Sequence, residues 1–369
     1  MPLKGTKSAF SESGFISSDT SGTPQTQNAY SQLQTITPDL GGTSFISIAI
    51  SSDGNYIALG ASRANANGSD KGAVTIYSNV DNVYTLQTTL YQNTNPNNQY
   101  FGESVSLNSD GTYLVVGAPS GNLSTQVPKS YVYGRNGNSW TQLVQLNPSQ
   151  TVNGSQYGNR VDISQDGNYI VINAPNQKIG NNQSGIIYIY ENNSNTWTEQ
   201  ANFFGANIAF NRLGYSGLVI NDDGTVIVTT TASAGIANNV VPIYTRSGNI
   251  WSSYGNILSI NGTIGINIDN NANIITIFGS SQNVYSNKGN WTLTGNNAPE
   301  ILSSDANIGF VAGSYVQESQ GNVNGYSYTG NIFYTIPYGL IIEGVTNNNA
   351  SRLVVYEQSN KKVQIFKKN

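Results

Sequence analysis

The chain has 369 residues, of which 37% are hydrophobic and only 10% charged, with a net charge of −4, no Cys and no His. The two missing residue types exclude disulfides, thiolate nucleophiles, Ser-His-Asp triads and the common zinc sites. The charges are spread along the sequence without a basic patch, so nucleic-acid binding is not expected, and no apolar run approaches the roughly twenty residues of a membrane-spanning helix.

From the N-terminus, "MPLKGTKSAFSESG" lacks the apolar core of a secretory signal. Residues 1–27, rich in Ser, Thr and Gly, read as a flexible arm on a soluble protein without a cleavable signal, virion-associated or cytoplasmic. Asn outnumbers even the 39 Gly, which favours turn-dense β structure over helix. The abundance of Asn, Ile and Tyr also suits an AT-rich genome such as that of a large DNA virus, a protist or a low-GC bacterium.

Beyond residue 45 the chain repeats itself. Asp53-Gly54, Asp110-Gly111, Asp166-Gly167 and Asp223-Gly224 follow one another at steps of 57, 56 and 57 residues. Each pair stands between two apolar segments, as in "SVSLNSDGTYLVVGAP", and Asp-Gly in that setting signals a hairpin because Gly accepts positive φ. A Tyr-rich segment follows in each period ("AVTIYS", "SYVYGR", "GIIYIYE", "VPIYTR"), then one opened by Tyr84, Trp140, Trp197 or Trp251. Four strands per period predict propeller blades.

Three further units extend the series. The fifth has Asn271-Ala272 in place of Asp-Gly and Trp291 at its last strand; a weaker sixth and a three-strand seventh complete the chain. Near the N-terminus, "NAYSQLQTITPDL" at 28–40 resembles the fourth-strand segments "VYTLQTTL" and "SWTQLVQL". It predicts that this strand completes the last blade and removes its free edge. The expected fold is thus all-β: a single domain over 28–369, a seven-bladed β-propeller of four-stranded antiparallel blades closed by an N-terminal strand.

The stretch "FGESVSLNSDGTYLVVGAP" resembles the FG-GAP repeat of propellers of the integrin α-subunit type. Phe101-Gly102 matches the FG element and Gly117-Ala118-Pro119 the GAP element, echoed by Tyr157-Gly158 with Ala174-Pro175 and by Gly60-Ala61. Calcium-binding members of that family place several acidic or amide oxygens in the turn between the first two strands. Here the turn offers Ser106, Asn108 and Asp110, with Leu114 where a further acid would be expected, so no calcium site and no other metal or cofactor is implied.

Candidate site residues are few. Glu103, Asp162, Asp222, Glu300, Glu318 and Glu343 are the acids considered for carboxylate chemistry, and no pair has a recognisable active-site spacing. No catalytic residue is assigned and a non-enzymatic protein is expected. The four Trp recur at one position per blade, which makes them packing residues rather than a sugar-binding platform. Glu103, Arg160 and Tyr215 stand in roughly corresponding places at the entry to three successive innermost strands, where they are either ligand contacts or merely solvated channel-mouth residues. The polar loop "RANANGSDKG" adds Arg63, Asp70 and Lys71, as a contact loop or a tolerated insertion. The functional expectation is a rigid protein-interaction or structural platform with a protein partner, a component of a virus particle or surface assembly; the second reading is a glycan-binding, lectin-like propeller.

Overall fold

The computed structural model describes residues 30–38, 46–65, 70–92, 99–120, 127–150, 153–208, 210–231 and 240–258, and shorter segments from 265 to 368. The N-terminal arm 1–27 therefore lies outside the described residues. Among the described residues all regular structure is β, and no helix is long and apolar enough to cross a membrane.

Seven four-stranded antiparallel sheets are formed among the described residues. The first contains Ile46–Ile50, Tyr56–Ala61, Ala73–Val80 and Val83–Leu90 in spatial order. The second runs from Ser104–Leu107 to Ser139–Leu146, the third from Val161–Ile163 to Thr196–Phe204, and the fourth from Leu218–Ile220 to Ile250–Leu258. The fifth and sixth, starting at Gly265–Ile268 and Ile301–Leu302, repeat the order. The seventh contains Ile341–Thr346, Arg352–Glu357 and Lys362–Lys368, and its fourth strand is Tyr30–Ile36 from the other end of the chain, paired from Tyr30↔Lys368 to Ile36↔Val363.

A β-bulge marks the pairing of the two outer strands in every sheet. It falls between Ile76 and Tyr77, Val132 and Tyr133, Ile189 and Tyr190, Ile243 and Tyr244, Val284 and Tyr285, and Gly325 and Tyr326. In the seventh sheet it lies between Gln32 and Gln34 of the N-terminal strand. The extra residue sharpens the local twist, so the N-terminal strand carries the same deformation as the fourth strands it replaces.

The repeated Asp-Gly turn is closed by its own side chains. Asp110 Oδ1 accepts from the Thr112 amide at 3.0 Å and from Asn108 Nδ2 at 3.1 Å, while Asn108 Oδ1 accepts from the Tyr113 amide at 2.8 Å. Asp53, Asp166 and Asp223 are held in the same way by Ser51 and Asn55, Ser164 and Asn168, and Asn221 and Thr225. Gly54, Gly111, Gly167 and Gly224 have φ between +63° and +73°. In the fifth sheet Ala272 takes φ +53° at that place.

The apolar cores lie between sheets. Phe101, Val105 and Leu114 of the second sheet pack with Val74 and Ile76 of the first; Tyr157 and Ile170 of the third pack with Val115 and Val132 of the second. The same arrangement joins the third to the fourth sheet and the fourth to the fifth. One further cluster unites Ile48, Ile57 and Tyr84 of the first sheet with Ile36, Val354, Tyr356 and Ile365 of the seventh. Aromatic pairs bridge the seams at the outer strands: Tyr56 with Trp140, Tyr113 with Trp197 and Tyr169 with Trp251, all edge-to-face at 5.8–6.4 Å. The recurring Trp residues are therefore packing elements; the Trp291 side chain lies outside the described residues.

Glycine is required where one sheet's backbone crosses the next. A Cβ on Gly60 would collide with the Gly102 carbonyl, and one on Gly117 with the Gly158 carbonyl. Gly117→Ala is expected to cost at least about 3 kcal/mol, because backbone rather than a flexible side chain must yield. Gly137→Ala, at φ +58° with open space around it, is expected to cost only about 1 kcal/mol. Urea denaturation measures both, and equal losses would contradict the seam.

Burial also pushes tyrosine phenols up: Tyr84 and Tyr244 to about 12, and Tyr133, Tyr157, Tyr188 and Tyr190 further. The folded chain thus holds these protons more tightly than the unfolded chain, whose phenols ionise near 10. Their contribution to stability is complete below that pH and is lost as pH rises through about 12. A melting temperature that falls in step with late phenolate absorbance is expected; ionisation of all 23 tyrosines near 10 without loss of stability would contradict it.

Candidate functional site

The connections from second to third strands and from each sheet to the next emerge at the end of the sheets opposite the Asp-Gly turns, and the candidate residues lie there. The connections into the second, third and fourth sheets end in one repeated turn. The amides of Glu103, Asn159 and Tyr215 donate to the carbonyls of Tyr100, Gln156 and Arg212 at 3.0–3.1 Å. Tyr100, Gln156 and Arg212 have φ of +57°, +57° and +43°, and the glycines before the donors, Gly102, Gly158 and Gly214, have φ of +85° to +89°.

This geometry corrects one correspondence. Glu103 and Tyr215 do occupy equivalent positions, half-buried at two seams, but their counterpart in the third sheet is Asn159. Arg160 is one residue further inward, at the position of Ser104, and is buried at 6% exposure. Its amide donates to Asn173 Oδ1 at 2.6 Å, and Asn173 Nδ2 reaches the Gly214 carbonyl at 2.7 Å. Asn173 stands where the second sheet has Gly117, so a buried amide spans a gap that elsewhere is closed by backbone contact.

Arg63, Asp70 and Lys71 are gathered at the seam between the first and second sheets. The Asp70 and Lys71 carbonyls accept from the amides of Tyr100 and Phe101 at 3.2 and 3.0 Å, the Gly72 amide donates to Ala64, and the Arg63 guanidinium lies 5.0 Å from the Tyr100 ring centre. The base of this loop is a brace against the next sheet and more than a tolerated insertion. Glu103 follows two residues after Phe101, so the structure groups four of the six candidates at one seam and leaves Arg160 and Tyr215 at the next two.

One group escaped the sequence reading. Lys178–Ile179 and Asn182–Gln183 form a two-stranded hairpin on the third sheet. Gln183 Oε1 accepts from Arg212 Nε and Nη2 at 3.2 and 2.8 Å, and the Arg212 guanidinium lies 5.3 Å from both the Phe210 and Tyr215 rings. The available signal was the alignment of "NRLGY" with "QYFGE", which puts Arg212 at the turn position and Leu213 at the buried place of Phe101.

The acids considered for catalysis divide differently. Asp162 is 3% exposed; its Oδ1 accepts from Ser106 Oγ at 2.8 Å and its Oδ2 from the Ile220 amide at 2.9 Å, so one carboxylate ties three sheets together. Asp222 is half-buried in its turn, where its carbonyl accepts from the Gln165 amide at 2.9 Å. Glu300 and Glu318 lie outside the described residues, as does the Glu343 side chain. Among the described residues no cluster of three or more carboxylates could hold a metal ion.

This fold is a β-propeller. The chain resembles the Cps50 (Swd1) β-propeller domain of Myceliophteria thermophila, with a TM-score of 0.62 and 8% identity over 92% of this chain and 99% of that one. It also resembles a chain of the Kuenenia stuttgartiensis hydrazine synthase, with a TM-score of 0.60 and 9% identity over 90% of this chain and 97% of that one. No protein-family model and no curated protein matches the sequence.

Replacing Asp162 by Ala strands the Ser106 hydroxyl and the Ile220 amide in the interior. It is expected to destabilise the chain by about 3 kcal/mol, with Ser106→Ala, which removes the bond to Asp162 and a long 3.4 Å bond from the Ile163 amide, costing about 1 kcal/mol. Chemical denaturation checks the order; a neutral Asp162→Ala would remove Asp162 from the seam.

Proposed function

We propose that the chain is a seven-bladed, closed β-propeller that acts as a rigid, non-enzymatic platform for a protein partner. The observation that carries this reading is the continuity of contact from sheet to sheet. First strands of successive sheets lie against one another, and Ile46–Ile50 of the first sheet also lies against Ile341–Thr346 of the seventh. At the outer edge of the same seam the Gln34 side chain of the N-terminal strand both donates to the Tyr84 carbonyl at 2.8 Å and accepts from its amide at 2.7 Å. Arg352 Nη2 reaches Asn82 Oδ1 at 2.5 Å.

Closure supports a binding role because loops on a ring are held in place before a partner arrives, which lowers the entropy lost on association. The glycine contacts at the FG and GA positions agree with the FG-GAP likeness. Non-catalytic function is favoured by the use of Asp162 and the turn aspartates in the scaffold itself. Were the protein a carbohydrate-cleaving enzyme with Glu103 as its acid, Glu103→Gln would abolish that activity.

Deleting residues 28–40 is expected to lower the melting temperature sharply while deleting 1–27 leaves it unchanged; equal melting temperatures would contradict closure. Affinity capture with the full chain from a source lysate is expected to recover a stoichiometric protein. An empty result would overturn the platform, and glycoproteins displaced by free sugar would replace it with a lectin.

A further inference from the structure

Charge that is scattered in the sequence is sorted in space. The end of the sheets that carries the Asp-Gly turns and the outer hairpins presents Asp53, Asp81, Asp110, Asp166, Asp222 and Asp223. Over the first four sheets the arginines at that end are absorbed locally: Arg135 and Arg246 lie 4.1 and 4.3 Å from the rings of Tyr56 and Tyr169 and donate to the carbonyls of Gly111 and Gly224. The opposite end presents, over the first four sheets, Arg63, Lys71, Lys129, Lys178 and Arg212, and the acids near it among the described residues are Asp70, Glu103 and Glu199, the last bound to Ser149. Over the first four sheets of a chain of net charge −4, this end is therefore basic.

That end is also where apolar side chains are exposed beside the cations. Phe204 is 37% exposed, Ile208 40%, Phe210 46% and Val127 51%. Phe210 is held outward at φ +57°, a conformation unfavourable for a bulky residue that persists only where the surroundings impose it. Beside it the Arg212 guanidinium is fixed in plane by Gln183 and two aromatic rings, with the remaining N–H donors of its fork left for an acceptor, and Lys178 is exposed at the start of the hairpin that supplies Gln183.

We infer that this basic end, centred on the Lys178, Phe210, Arg212 and Tyr215 corner between the third and fourth sheets, docks an acidic polypeptide segment that also carries apolar side chains. A carboxylate pairs with the preorganised guanidinium, neighbouring apolar side chains cover Ile208 and Phe210, and the remaining cations steer the segment to the face. A polypeptide fits better than a nucleic acid: Val127 and Ile208 are aliphatic and cannot stack on bases, and Asp70 and Glu103 interrupt the cations at the first seam. The inference rests on the platform reading and names its face and its kind of partner.

The test is fluorescence anisotropy on the full chain with a labelled peptide of alternating Glu and Phe or Leu, with a Lys-for-Glu version and oligothymidylate as comparators. The acidic peptide is expected to bind, to weaken steeply as salt rises, and to bind about tenfold more weakly to Arg212→Gln. Lys178→Glu, a change at an exposed residue, should weaken it similarly with an unaltered melting temperature, and Asp81→Asn at the opposite end should leave it unchanged. Absence of binding, equal binding by the Arg212 and Lys178 variants, or equal competition by oligothymidylate would overturn the inference. A lysate protein that the Lys178→Glu and Arg212→Gln chains still capture fully would overturn it while leaving the platform in place.

Discussion

The innermost strand of a four-stranded sheet is an edge, and its outward amides need acceptors that its own sheet does not supply. In this chain the preceding sheet supplies them. Ser47 Oγ accepts from the Val105 amide at 2.9 Å, Ser104 Oγ from Val161 at 3.1 Å, and Asp162 Oδ2 from Ile220 at 2.9 Å. A second relay runs through the turns, where the amides of Ser52, Ser109 and Gln165 donate to the carbonyls of Ser109, Gln165 and Asp222 at 2.8–3.0 Å. Unmet backbone groups in a buried edge are costly, so each sheet depends on the next for its polar groups as well as for its core.

The close approach demanded by these bonds explains the repeat. Backbone of adjacent sheets passes so near at Gly60 and Gly102, and again at Gly117 and Gly158, that no side chain fits. Where the pattern changes, the chain uses different bonds: Asn173 of the third sheet reaches across to the Gly214 carbonyl, and at the matching place in the fourth sheet the Thr230 hydroxyl accepts from the Ser216 and Gly217 amides of its own sheet at 3.1 and 2.9 Å. The motif is a record of seam geometry, which is why it marks the fold and carries little information about a ligand.

Much of the scaffold was legible for that reason. Asp-Gly pairs, one aromatic per outer strand and an N-terminal segment shaped like a fourth strand are local patterns with local causes. The outer-strand bulges were not legible, since an extra residue such as Gln87 or Leu143 leaves no mark on composition. The channel-mouth set was placed one residue off at Arg160, because Asn159 and Arg160 are both polar and only the turn hydrogen bonds fix the register. The corner at Arg212 was missed because its partners come from three separate segments, Gln183, Phe210 and Tyr215. The basic end was hidden for a similar reason: its cations are spread from Arg63 to Arg212 and meet only when the connections are brought to one side.

Function in this account follows from rigidity at the seams and from loops that the seams hold still. The central claim is that the first strands are sealed by their neighbours, and native-state hydrogen exchange reads it directly. The amides of Val105, Val161, Ile163 and Ile220 should exchange only through global unfolding, as slowly as those of the central strands. Rapid exchange at these four, with the second and third strands still protected, would show the sheets to be independent units and contradict the account.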